Sequence, residues 1–216
     1  MKIAGRLRRA ACGLWKAKSG VAYIEFAYAF PVLIVVGFGG LEAANLALAH
    51  MRTSQVALSM ADNASRIGQD SALSLTQFRE SDAADSFAAA EKQAGRFNVV
   101  GQGRVILSSL QQNEDGGQWI AWQRCLGSLG VASSYGIEDE GKTGTTFAGM
   151  GPATNRITAP ANNAVMFVEI FYDYEPLISS AIFGRPRLHY TAAFSVRDER
   201  DLTKIYPSNG VSPARC

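Results

Sequence analysis

The sequence predicts an α+β protein: a long N-terminal helical spine that crosses a membrane, then a small domain of helix plus an antiparallel sheet of about four strands. Three observations carry this. Residues 21–41 form an apolar run of 21 residues whose only charge is Glu25, and about 20 predominantly apolar residues cross a bilayer as a helix. Past that run, Leu41, Ala44, Leu48, Met51, Leu58 and Ala61 recur on one helical face, with Glu42, Arg52, Asp62 and Arg66 off it. Beyond Gly68, segments of alternating apolar and polar residues carry strand signals. The organisation that follows is a basic leader over residues 1–20, a spine over 21–67 and an extracytoplasmic α+β domain over 68–216.

The leader is set apart by charge. The whole chain of 216 residues carries a formal +2, yet Lys2, Arg6, Arg8, Arg9, Lys16 and Lys18 place +6 in the first 20 residues, which leaves 15 basic against 19 acidic groups in the remainder. Excess basic charge flanking a membrane segment stays on the cytoplasmic side, so the N-terminus is expected inside and the domain outside. Such a block can also bind nucleic acid, but its position against an apolar run favours the topological role.

Within the apolar run the informative residue is Glu25. A carboxylate at membrane depth costs about 3 kcal/mol, so it is rare there and marks a function or a pairing partner. Gly20 followed by VAYIEFAYAF resembles the processing signal of type IV prepilins: a basic leader, a glycine, four mostly apolar residues, then Glu-Phe. The segment from Arg6 to about Gly68 is similar to the TadE/TadF-like pseudopilins of tight-adherence (Flp-type) pilus systems. The resemblance implies that a prepilin peptidase cuts after Gly20, leaving Val21 as the new N-terminus and Glu25 at the fifth mature position, followed by Phe26. It further implies a non-enzymatic inner-membrane protein, its domain in the periplasm or its chain in an extracellular pilus, that supports pilus or secretion-machinery assembly with other pilin or pseudopilin subunits. No cofactor, metal, nucleic acid or small-molecule substrate belongs to that role. Cleavage would create an α-amino cation on Val21 in the layer that holds Glu25, the opposite charge a buried carboxylate needs. Glu25 also lies near the start of the mature helix, where the macrodipole favours negative charge.

The spine is expected to continue past the bilayer, since no Gly or Pro lies between Leu41 and Gly68. A helix over residues 21–67 would be on the order of 70 Å long. Pro31 predicts a kink or loosening near Phe26 and Ala27. Packing onto its own domain is the favoured role of the Leu41 to Ala61 stripe, ahead of a partner-binding surface.

In the domain, residues 74–77 (SLTQ) offer a capping-box pattern, and Phe78, Phe87, Ala90, Ala94 and Phe97 have roughly helical spacing, so one or two helices are expected over 74–95, most firmly over 81–93. Strands follow at 104–111 and 118–125 around a turn at 113–117 (NEDGG), and at 164–174 and 188–196. The last two alternate, which predicts a sheet buried on one face. Between them, residues 176–183 start with Pro and precede Gly184, the pattern of a short helix.

Residues 126–163 are glycine-rich and hold few apolar side chains, a loop whose length marks function or mobility. Residues 136–143 (GIEDEGKT) match the phosphate-loop pattern literally. Glu138, Asp139 and Glu140 would repel polyphosphate, and the glycines that follow do not start a helix, so the match is discounted. His50 and His189 are too far apart to suggest a metal site, and His189 is expected on the exposed side of its strand. Trp15 is read as an interface anchor and Trp119 and Trp122 as sheet packing. Of three cysteines, Cys12 lies in the leader, while Cys125 and Cys216 lie outside, where a disulfide between them is favoured over free thiols.

A second reading of the N-terminus is a long signal peptide cut after Ala49, within Ala47-Leu48-Ala49, releasing a secreted or periplasmic binding domain that begins at His50. The apolar run exceeds the usual length for such a signal, and Glu42 falls near the cut.

Overall fold

The computed structural model describes residues 19–66, 69–71 and 74–216. The basic leader, with Cys12 and Trp15, lies outside the described residues, except for its last two positions. The first element, α1, is a single helix of 48 residues, Ser19–Arg66, which passes through Pro31 without interruption. The chain divides between Asn45 and Leu46 into two compact units.

In the second unit, the chain after α1 forms strands β1 (Gln69–Ser71) and β2 (Ser74–Arg79), helix α2 (Glu80–Ala94), then strands β3 (Gly103–Gln112), β4 (Gln118–Leu126) and β5 (Ala164–Asp173). A four-residue helix, α3 (Ser180–Phe183), leads to β6 (Arg187–Ser195) and β7 (Arg200–Tyr206). The main sheet has the order β4-β3-β5-β6 and is antiparallel throughout. This is the α+β layout expected, with the turn at 113–117 joining β3 and β4.

Four local expectations are corrected. Residues 74–77 open strand β2, and the helix begins only at Glu80, where the Arg79 N–H donates to the Asp82 carboxylate at 2.8 Å. Strands β1 (Gln69–Ser71), β2 (Ser74–Arg79) and β7 (Arg200–Tyr206) form a second, three-stranded sheet of order β1-β2-β7, with β2 and β7 parallel. Its strands are short and polar, and although β1 pairs with its sequence neighbour β2, the partner of β2 on its other side, β7, lies more than a hundred residues away (Thr76 opposite Arg200), so no local pattern announced the sheet. The short helix occupies only the second half of residues 176–183, ending as expected before Gly184, at φ 69°.

The fourth correction concerns the face that α1 turns to its domain. Leu48, Met51 and Leu58 stay 42 %, 47 % and 48 % exposed, and Leu41, in the first unit, stays 54 % exposed. Of the expected stripe only Ala61 is buried. The packed face is Ala49, Thr53, Val56, Ala57, Met60, Ala61 and Ala64, spaced for one side of a helix. It meets a core of large side chains that includes Phe78, Trp122, Met166 and Tyr174. Alanines let the helix backbone come close to such a surface, and close packing rather than residue hydrophobicity selects the face. Thr53 is accommodated because its hydroxyl donates to the Ala49 carbonyl at 2.8 Å.

The expectation of a sheet buried on one face is corrected too, since the sheet is covered on both faces. Front residues of β5, Met166, Val168, Ile170 and Tyr172, join α1 and α2 in the larger core. On the back, residues 127–163 fold over the sheet, and Tyr135, Phe147, Met150 and Ile157 pack with Leu110, Ile120, Val165 and Phe167. This glycine-rich stretch is therefore a structural cover. It is tied down by Asn113, whose Nδ2 donates to the carbonyls of Gly141 (2.8 Å) and Gly144 (2.7 Å), and by a Met150–Ile157 bridge. Gly141 sits at φ 76°, and a Cβ there would come 2.2 Å from the Gln118 carbonyl, so only glycine lets the loop approach β4 this closely.

Candidate functional site: the uncovered apolar half of the first helix

Residues 20–38 of α1 are exposed at every position. Tyr23 (78 %), Tyr28 (77 %) and Val35 (72 %) stand out furthest. This is the one helix among the described residues long and apolar enough to cross a membrane, and none of its most apolar window is buried by protein. Soluble proteins rarely leave contiguous apolar patches larger than a few hundred Å² in water, so a surface of this kind requires lipid or other protein around it. As a helix it satisfies its own backbone hydrogen bonds, the condition for residence in hydrocarbon.

The expected site residues fall on its first turns. Gly20 lies inside the helix, and a Cβ built on it meets nothing within 4 Å. Val21 and Glu25 are four residues apart in continuous helix, so they stack on one face a turn apart, with a rise of about 6 Å between them. Glu25 and Phe26 are both exposed, and the Phe26 ring stacks on Phe30 with centroids 5.1 Å apart.

Cys125 and Cys216 are joined in a disulfide. The Cys125 N–H also donates to the Ala214 carbonyl at 2.7 Å, so the C-terminal tail is held to the outer edge of β4 by both bonds.

The domain itself holds two buried charge clusters. Arg124 on β4 forks onto Glu80 of α2 and also reaches Glu138 of the back cover at 2.9 Å. Burial acts against its charge, but hydrogen bonds and attraction from Glu80 and Glu138 outweigh it and raise its pKa above the ordinary arginine value. Glu169, fully buried at the centre of β5, accepts from Ser133 Oγ (2.7 Å), the Ser134 N–H (3.1 Å) and His189 Nε2 (2.8 Å). Its histidine lies flat on Phe171 with ring centroids 4.3 Å apart. His189 therefore sits on the outward side of its strand, yet it is held by a partner that sequence alternation did not supply. Ser133 donates to the carboxylate and not to the histidine, so the cluster ties the back cover to the sheet and does not pair a nucleophile with a base.

Residues 136–143 make no phosphate cradle. No strand feeds them directly and no helix leaves them. Their main chain instead pairs with β4, Asp139 N–H to the Ile120 carbonyl (2.8 Å) and Ile120 N–H to Glu140 (2.9 Å), and Glu138 is used by Arg124. A cleft of about 780 Å³ runs between the 113–117 turn and β7 past Trp119, Lys142 and Asp201. Among the described residues, no group of three or more His, Cys, Asp or Glu is arranged to hold a metal ion. No protein-family model matches this chain, and neither a curated protein nor a solved structure does.

Proposed function

We propose that the chain is a membrane-anchored, non-enzymatic pseudopilin-like subunit that supports assembly of a tight-adherence (Flp-type) pilus or the related secretion machinery. The carrying observation is the uncovered apolar helix with Glu25 one turn after Val21. In this reading a prepilin peptidase in the inner membrane cuts after Gly20, with the leader cytoplasmic and the domain periplasmic. The new α-amino group of Val21 and the carboxylate of Glu25 then carry opposite charge in one apolar layer, within a chain or between neighbouring subunits. The outward side chains of Leu48, Met51 and Leu58 support an assembly role, since they leave apolar surface uncovered on the part of α1 that belongs to the domain.

Release of a soluble domain after Ala49 is disfavoured by the same helix. A cut there would divide α1 at a residue with no exposure, whose carbonyl holds Thr53.

The test is Glu25→Gln. If the carboxylate pairs with an amine of a partner subunit, the variant inserts normally but no longer co-purifies with pilin or pseudopilin subunits from membranes, because breaking one side of a buried pair costs about 3 to 5 kcal/mol. Undiminished co-purification with normal pili would leave the segment as a simple anchor.

A further inference from the structure

The connection between β5 and β6 carries an exposed apolar tip. Ile182 is 73 % exposed, Leu177 56 %, Phe183 39 % and Ile178 38 %. They crowd into seven residues around α3. The neck of this connection is neutralised within itself: Arg187 is bonded to Asp173 at 2.6 and 2.9 Å, and Arg185 to Glu175 at 3.3 Å. What the tip offers to its surroundings is therefore apolar surface without net charge.

Its location follows from contacts inside the domain. His50 of α1 is bonded to Tyr190 of β6 (2.8 Å), whereas fifteen residues later Ser65 accepts from the N–H of Arg197, just past that strand (3.2 Å). Helix and strand therefore run in the same direction here. The tip, which precedes β6, lies at the end of the domain where α1 enters at Leu46. Leu41, the last residue of the apolar run, precedes Leu46 by only five positions in the chain. The opposite end of the sheet has the contrary character, since its β3–β4 turn is Asn113, Glu114, Asp115 and two glycines.

We infer that residues 177–183 are a second membrane contact: Leu177, Ile182 and Phe183 enter the interfacial layer of the same bilayer that α1 crosses. This rests on the reading of residues 21–41 as bilayer-spanning. A helix anchor alone leaves a domain free to swivel about its exit point, and a second contact beside it removes that freedom, fixing which side of the domain faces away from the lipid. Apolar side chains at the interface bind by burial of their area, and with its ion pairs closed the tip needs no anionic lipid.

The experiment uses the full chain in proteoliposomes, with Cys12→Ser so that Ile182→Cys is the single free thiol for an environment-sensitive fluorophore; Cys125 and Cys216 are occupied by their disulfide. Glu114→Cys, labelled the same way, reports the opposite end, and Leu177→Cys is a second tip position. In phosphatidylcholine vesicles, labels at Ile182 and Leu177 shift to the blue and lose most of their intensity to lipid-borne quenchers, while Glu114 is unchanged. The result is the same with added phosphatidylglycerol and at high salt. Protein that floats with vesicles while the tip labels stay water-exposed overturns the second contact and leaves the anchor standing. Quenching equal at both ends, or quenching that requires phosphatidylglycerol or vanishes in salt, also overturns it. Protein that does not float with vesicles removes the membrane segment and the tip contact together.

Discussion

Arg124 and Glu80 form a buried two-point ion pair, Nη2 to Oε1 at 2.6 Å and Nε to Oε2 at 2.9 Å, which joins the edge strand β4 of the main sheet to the first turn of α2. Both side chains are almost out of reach of water, 3 % and 5 % exposed. The forked geometry suits an arginine and a carboxylate, and Glu80 in the first turn also complements the helix dipole.

Glu80→Gln keeps the shape of this contact and removes its charge, leaving a buried guanidinium with only the half-exposed Glu138 beside it. A loss of about 3 kcal/mol is expected, or roughly 6 to 12 °C in Tm for a domain of this size. Thermal melting of wild type and variant, followed by circular dichroism, checks it; an unchanged Tm would mean the pair contributes nothing net.

Stability should fall in acid through two carboxylates. Asp173 is held below its ordinary pKa of 3.8 by hydrogen bonds from Arg187, and Asp201 by bonds from Thr203 and Tyr206. A depressed folded-state value means that the contribution is present above the unfolded value and lost as pH drops through the folded one. Tm should thus decline as pH is lowered below about 4, and Asp201→Asn should have a shallower decline than wild type over the same range.

The C-terminal tail depends on its disulfide. Cys125 and Cys216 are 91 residues apart in sequence, and closing a loop that long stabilises by at most about 4 to 5 kcal/mol in the chain-entropy picture. Cys216→Ser is expected to unfold at lower urea than wild type and to expose residues 207–216 to proteolysis first. Peptide mapping without reductant should recover the two cysteines linked in wild type; free thiols from an oxidising compartment would contradict the bond.

Gly20→Val should block maturation. A side chain at Gly20 meets nothing in the helix, so the variant still folds and inserts, and any effect belongs to a peptidase that reads this position. Intact mass measured from membranes should correspond to the full-length precursor, with wild type starting at Val21. Wild-type mass in the variant would refute processing after Gly20.

The apolar run, its lone carboxylate, the glycine before it, four of the strands and the cysteine pairing were legible from residues alone, because each rests on local spacing or counting: a bilayer needs about 20 apolar residues, runs rich in β-branched and aromatic residues between turn residues read as strands, and two cysteines outside make one bridge. Tertiary structure decided what spacing does not encode. The large leucines of α1 point outward, since the sheet already supplies bulk and the small side chains Ala49, Ala57 and Ala64 permit the closer approach. Residues 127–163 are a second cover and not an open loop, because Tyr135, Phe147, Met150 and Ile157 are too scattered to show a period yet converge once glycines let the chain turn. The second sheet and the buried carboxylates of Glu80 and Glu169 likewise depend on partners far along the chain, 44 residues away for Arg124 and 20 for His189. A buried charge is tolerated only where folding delivers its counter-charge, and that delivery is a property of the folded chain.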